Sequence, residues 1–126
     1  MAQSILVAED DKTIQSLISF KLRGAGFKVS LVNNGAEAIE FLKRELPDLL
    51  IVDLMMPLVS GKELIVELKK NNMTKSIPLI ILTAKSLEKE VIEGFSLGAD
   101  DYIKKPFSPS ELVARVKNVL ARSIHS

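Results

Sequence analysis

Five side chains with phosphoryl-transfer chemistry stand at the ends of apolar runs. Ile5-Leu6-Val7-Ala8 leads into Glu9-Asp10-Asp11, and Leu49-Leu50-Ile51-Val52 into Asp53. Leu79-Ile80-Ile81-Leu82 leads into Thr83, and Tyr102-Ile103 into Lys104-Lys105-Pro106. If the first and third runs are neighbouring strands, Glu9, Asp10 and Asp53 crowd into one crevice. Uncompensated carboxylates at that range raise one another's pKa values. A hard divalent cation such as Mg²⁺ resolves the conflict with oxygen ligands and water. It can then neutralise a phosphoryl group and polarise it for in-line attack. The hydroxyl of Thr83 and the ammonium of Lys105 complete a set suited to that transfer. Taken singly, the acids could instead cap the following helices, which is the reading adopted for Asp11. Lys105 alone could be a surface lysine, and Thr83 alone a β-branched strand residue.

These groups need a scaffold that brings strand ends together. Continuous apolar runs of four or five residues fit strands buried on both faces, as in parallel sheets. Strands are expected at 4–8, 28–32, 49–53 and 79–83, with a short fifth at 102–103. Helical spacing is expected over 12–25 (Ile14, Leu17, Ile18 and Leu22 inward), 36–44, 61–71, 87–97 and from Ser108 to the end. Gly24-Ala25-Gly26 stops the first helix, Asn33-Asn34-Gly35 is a turn, and Pro47 and Pro78 precede strands. Ser108-Pro109-Ser110-Glu111 combines a serine cap, a first-turn proline and a glutamate three residues on. Strict alternation of five strands and five helices implies an α/β fold: a doubly wound parallel sheet with right-handed crossovers. Its ligand crevice lies at the carboxyl ends of the strands, at the topological switch point.

The 126 residues fit one domain spanning 1–126, and their composition, 47% hydrophobic and 26% charged, is that of a globular chain. Seventeen basic residues against 16 acidic ones leave a net charge of +1, no bulk case for direct nucleic-acid or anionic-membrane binding. The absence of cysteine excludes disulfides, thiolate metal sites and cysteine nucleophiles. No apolar stretch approaches membrane-spanning length and no secretory signal opens the chain, so a cytoplasmic location is expected.

The motifs Ile5–Asp11, Asp53-Leu54-Met55-Met56-Pro57 with Gly61, Leu82-Thr83-Ala84, Gly98-Ala99-Asp100-Asp101-Tyr102 and Lys104-Lys105-Pro106-Phe107 resemble those of the receiver domain of bacterial response regulators. The resemblance covers essentially the whole chain in order and spacing. It implies the flavodoxin-like strand order 2-1-3-4-5 and a two-component signalling role rather than an enzyme's. By resemblance, Asp53 accepts a phosphoryl group from a histidine kinase or phosphotransfer protein. Asp10, Asp53 and the backbone carbonyl of Met55 ligate Mg²⁺, with Glu9 acting through bound water. Thr83 and Lys105 hold phosphoryl oxygens, a cis Lys105-Pro106 peptide aims the lysine, and Thr83 and Tyr102 form the switch. The output face is that of the fourth helix, fifth strand and fifth helix. Asp100, Asp101, Glu111, Arg115 and Lys117 match positions that bridge two receivers in the winged-helix transcription-factor class.

One departure and two variable positions stand out. Val91 replaces the usual arginine of the fourth helix, which leaves Glu111 without its expected partner and weakens the case for a phosphorylation-dependent homodimer. Met55 and Lys85, each two residues beyond a site residue, are expected to set the phosphoryl lifetime, with Met55 obstructing attacking water. The alternatives are a Mg²⁺-dependent phosphatase with an aspartyl nucleophile and a flavodoxin-like binding module. The first wants a second acid where Met55 stands. The second wants a phosphate-cradling loop where Glu9-Asp10-Asp11 stands.

Overall fold

The computed structural model describes residues 2–84, 92–93 and 95–124. Strands β1 (Ser4–Ala8), β2 (Lys28–Val32), β3 (Leu49–Asp53), β4 (Leu79–Thr83) and β5 (Asp101–Lys104) form one parallel sheet in the order β2-β1-β3-β4-β5. Helices α1 (Lys12–Gly24), α2 (Gly35–Arg44), α3 (Gly61–Lys70) and a C-terminal helix (Pro109–Ile124) cover it. Most of the expected fourth helix, together with Lys85 and Val91, lies outside the described residues; its described positions Ile92, Glu93, Phe95 and Ser96 are helical.

Alternation along each strand divides the core in two. Ile5, Val7, Leu49, Ile51, Ile80, Leu82 and Ile103 pack with Ile18 and Leu22 of α1 and with Leu112, Val116, Val119 and Leu120 of the C-terminal helix. Leu6, Ala8, Leu50, Val52, Leu79 and Ile81 face Ala38 and Leu42 of α2 and Leu64, Ile65 and Leu68 of α3. All five residues of β3 and of β4 are buried, the reason their sequences run apolar without alternation. The edge strand β2 is only partly covered: Val29 and Val32 are buried, but Lys28 and Leu31 are exposed, so the expected strict alternation does not hold.

The local signals act as chemistry dictates. Asp11 caps α1, its side chain accepting from the N–H groups of Thr13 and Ile14 at 2.9 and 3.1 Å. Gly26, at φ 97°, supplies the left-handed turn that ends the helix. Ser60 and Glu63 form a reciprocal capping box on α3. At the C-terminal helix Ser108 accepts from the Glu111 N–H at 3.1 Å, but the Glu111 carboxylate turns to Arg115 instead of completing a box.

One stripe differs from expectation. The buried face of α1 is Gln15, Ile18, Ser19 and Leu22, while Leu17 is more than a third exposed. Positions i, i+3, i+4 and i+7 still define the face. Two of its four members, Gln15 and Ser19, are polar, and the face lies one residue on, about 100° around the helix, from the one that Ile14 and Leu17 mark in the sequence.

Candidate functional site

Parallel register brings the strand-end groups to one rim. Ala8 pairs with Val52, so Glu9 falls beside Asp53; Asp53 pairs with Leu82, and Thr83 with Lys104. Glu9, Asp53 and Thr83 are buried there, and Asp10 is exposed. One carboxylate oxygen from each of Glu9, Asp10 and Asp53 lies within 4.8 Å of the others.

Lys105 closes the cluster. Its Nζ donates to Asp53 Oδ2 at 3.0 Å and forms an ion pair with Glu9 Oε1 at 2.5 Å, the latter outside hydrogen-bond geometry. The lysine backbone N–H donates to the Thr83 carbonyl at 2.7 Å, and the Lys105-Pro106 peptide is cis. Asp53 Oδ1 accepts from the Met55 N–H at 3.0 Å, and Glu9 Oε2 from the Asp11 N–H at 3.0 Å.

Burial dominates the electrostatics. It pushes the Glu9 carboxyl up to about 7, against the opposing pull of the Asp11 N–H and Lys105. Burial also pulls Lys105 down, but its contacts with the carboxylates of Glu9 and Asp53 win and hold it above the ordinary lysine value. The site thus carries one firmly held cation and an excess of buried acid.

The loop after β3 is built around Gly61. A Cβ there would collide with the Asp53 carbonyl oxygen and come 2.6 Å from Leu54 Cα, so only glycine lets α3 start against the backbone of Asp53. Met55, in the same loop and bonded to Asp53 through its backbone N–H, is 57% exposed. Leu58 nearby holds a left-handed φ of 64°.

Tyr102 is half-buried on β5, its ring edge-on to Phe95 at 6.1 Å and 89°. Among the described residues, four of the five remaining expected positions, all but Lys117, are bonded within the chain. Arg115 Nη1 grips both oxygens of Asp101 at 2.9 and 3.1 Å, and Arg115 Nε bonds Glu111 at 3.1 Å. Asp101, then Glu111, holds the Arg115 guanidinium above its usual value. Glu111 has an intrachain partner, Arg115 one helical turn on, while the fourth-helix position Val91 lies outside the described residues. Asp100 accepts from the Leu79 N–H at 2.8 Å and pins the start of β4, while Lys117 is exposed. A cavity of about 780 Å³ between α2 and α3, lined by Leu42, Leu46, Leu68 and Met73 among others, is bordered by none of the strand-end groups.

A family model described as the response regulator receiver domain matches residues 5–117. The chain belongs to that family. It is 43% identical over 122 residues to the phosphate regulon transcriptional regulatory protein PhoB of Escherichia coli, covering 97% of this chain and 53% of PhoB. This receiver thus spans about half the length of the curated relatives it matches. Among solved structures it is similar to the Francisella response regulator 1452 receiver domain, at 36% identity and a TM-score of 0.89 over 96% of this chain and 98% of that one. The receiver domain of the Pseudomonas aeruginosa sensor histidine kinase PA1611 matches at 29% identity and a TM-score of 0.88, covering 96% and 99%; that structure has a magnesium ion coordinated in its active-site cleft. The chain is accordingly a receiver domain of two-component signal transduction, a family in which an aspartate typically takes a phosphoryl group from a histidine kinase.

Sequence reasoning overlooked two features of the site. Gln15 is hidden because an amide breaks the apolar pattern that reveals a buried stripe. The Asp101–Arg115 pair joins residues 14 apart, and no local signal announces it.

Proposed function

We propose that Asp53 is the phosphoacceptor of this receiver, in a Mg²⁺-dependent transfer from a histidine kinase or phosphotransfer protein. The carrying observation is that one lysine, Lys105, engages both Glu9 and Asp53, so the ends of β1, β3 and β5 act as one site. The donor set fits Mg²⁺: it is all oxygen, its members lie within 4.8 Å of one another, and exposed Asp10 leaves an entry for a hydrated ion. Asp10, Asp53 and the Met55 carbonyl would hold the ion. Glu9, already engaged by the Asp11 N–H and Lys105, acts through water. When bound, Mg²⁺ neutralises phosphoryl oxygens and polarises phosphorus.

The chain's own groups do the rest. An Asp53 carboxylate oxygen attacks in line, forming an O–P bond as the P–N bond of the phosphohistidine breaks. The electron pair returns to the imidazole nitrogen, which takes up a proton. The Lys105 ammonium exchanges its carboxylate partners for a phosphoryl oxygen, and the Thr83 hydroxyl takes another. Tyr102 follows Thr83, and phosphorylation shifts the population of the face built by residues 87–97, β5 and the C-terminal helix. We infer that the fold has five helices, counting the expected fourth, and that 1–126 is a single cytoplasmic receiver domain. It assists its own phosphorylation and dephosphorylation without being an enzyme in the ordinary sense, and any nucleic-acid contact belongs to another domain.

Asp100, Asp101, Glu111, Arg115 and Lys117 form the surface for a phosphorylation-dependent homodimer. The Asp101–Arg115–Glu111 bonds would open or be shared across it. Incubation with acetyl phosphate and Mg²⁺, followed by intact mass and gel filtration, tests these assignments. Wild type should gain one phosphoryl group and Asp53→Asn none; an adduct that survives Asp53→Asn sinks the acceptor assignment. A gel-filtration shift that depends on the adduct supports the dimer, and no shift rejects it.

A further inference from the structure

The buried stripe of α1 places a primary amide, Gln15, against the sheet where packing alone would choose an aliphatic side chain. Burying an amide costs free energy unless hydrogen bonds replace water. Gln15 is 5% exposed, and its Nε2 donates to Asn33 Oδ1 at 2.9 Å and to the Glu9 carbonyl, with the Val32 carbonyl at 3.4 Å. The amide therefore ties together the chain just beyond β1 and the chain at the end of β2.

Its bond to Glu9 has a particular effect. The Glu9 N–H donates to the Val32 carbonyl at 3.1 Å, its Oε2 accepts from Asp11, its Oε1 pairs with Lys105, and its carbonyl accepts from Gln15. Asp10 has no such restraint: among the described residues no hydrogen bond or ion pair reaches its carboxylate. Its place is set by the peptides on either side. Asp11 is fixed as the cap of α1, and Glu9 is fixed by the four contacts above. Asn33, the third partner of Gln15, is itself bonded by Lys12 and Glu37, which anchors the amide to the loop before α2.

We infer that Gln15 is a positioning residue for the metal site, holding the Glu9 backbone so that Asp10 meets the cation at the correct place. This rests on the Mg²⁺ reading above. Loss of a partner that orients a metal ligand ordinarily weakens metal affinity by about 10- to 100-fold.

The test is a Mg²⁺ titration followed by NMR at the backbone amides of Asp10 and Asp11, for wild type, Gln15→Met, Gln15→Leu and Ser19→Ala. Thermal unfolding in EDTA is measured alongside. Methionine and leucine fill the space without donating. Ser19 is the other buried polar residue of the stripe and serves as the control. The expected result is a Kd weakened at least about tenfold in the two Gln15 variants and unchanged in Ser19→Ala, with the variants folded in EDTA. A Kd within threefold of wild type in either folded Gln15 variant overturns the inference. So does failure of both to fold, which would make the amide a requirement of folding instead. Wild type that binds no Mg²⁺ defeats the metal reading itself, a distinct outcome.

Discussion

Replacing Glu9 by glutamine should stabilise the metal-free protein at alkaline pH and do little at acid pH. Glu9 is fully buried, and its carboxyl is raised from an ordinary 4.5 to about 7, chiefly by that burial. A group whose folded pKa exceeds its unfolded value favours the fold while protonated. That contribution is complete below about 4.5 and is lost as pH rises through about 7. The displacement corresponds to roughly 3 kcal/mol. Lys105 is held above its ordinary value, stays charged throughout this window and retains Asp53 as a partner in the variant. The glutamine carbonyl can still accept from the Asp11 N–H. Wild type should therefore lose up to roughly 3 kcal/mol relative to Glu9→Gln between pH 4.5 and 8. For a chain of this length that is a gap in Tm on the order of 10 °C. Thermal and urea unfolding of both proteins in EDTA at several pH values measures it, and the single histidine, present in both, cancels. Added Mg²⁺ should narrow the gap at pH 8, because the cation stabilises the ionised acid. A stability difference that is the same at pH 4.5 and pH 8 would refute the reasoning.

Gly61→Ala should destabilise by about 1–3 kcal/mol in urea unfolding, since its Cβ would press on the backbone of Asp53 and Leu54. Because the displaced backbone belongs to Asp53, the proposed acceptor, the yield of phosphoryl adduct should fall with it. Met55→Asn should speed hydrolysis of the acyl phosphate by roughly tenfold or more, by exchanging an apolar obstruction for a group that can orient water. An unchanged decay rate in an intact-mass time course ends that idea.

The sequence on its own determined the strand ends and their chemistry. Apolar runs interrupted by Glu9, Asp53, Thr83 and Lys105 are legible because burial on both faces removes all polar alternation, so a polar side chain at a strand end stands out. Caps and turns were legible for a similar reason: Asp11, Gly26 and Ser108 satisfy local backbone groups, and local needs leave local signals. The sequence did not carry the partners. Whether Glu9 lies beside Asp53 depends on register between β1 and β3, residues more than 40 positions apart in the chain. Lys105 acquires two carboxylates only when β4 and β5 are laid against β3. Glu111 has Arg115 as its partner, and Arg115 in turn has Asp101, through the packing of the C-terminal helix on β5. Gln15 is the sharpest case. Its polar type gives no sign of burial in the sequence, and only the closure of α1 over the ends of β1 and β2 turns its amide toward Glu9. Residue type decides what a group can do; long-range packing decides which groups it does it with.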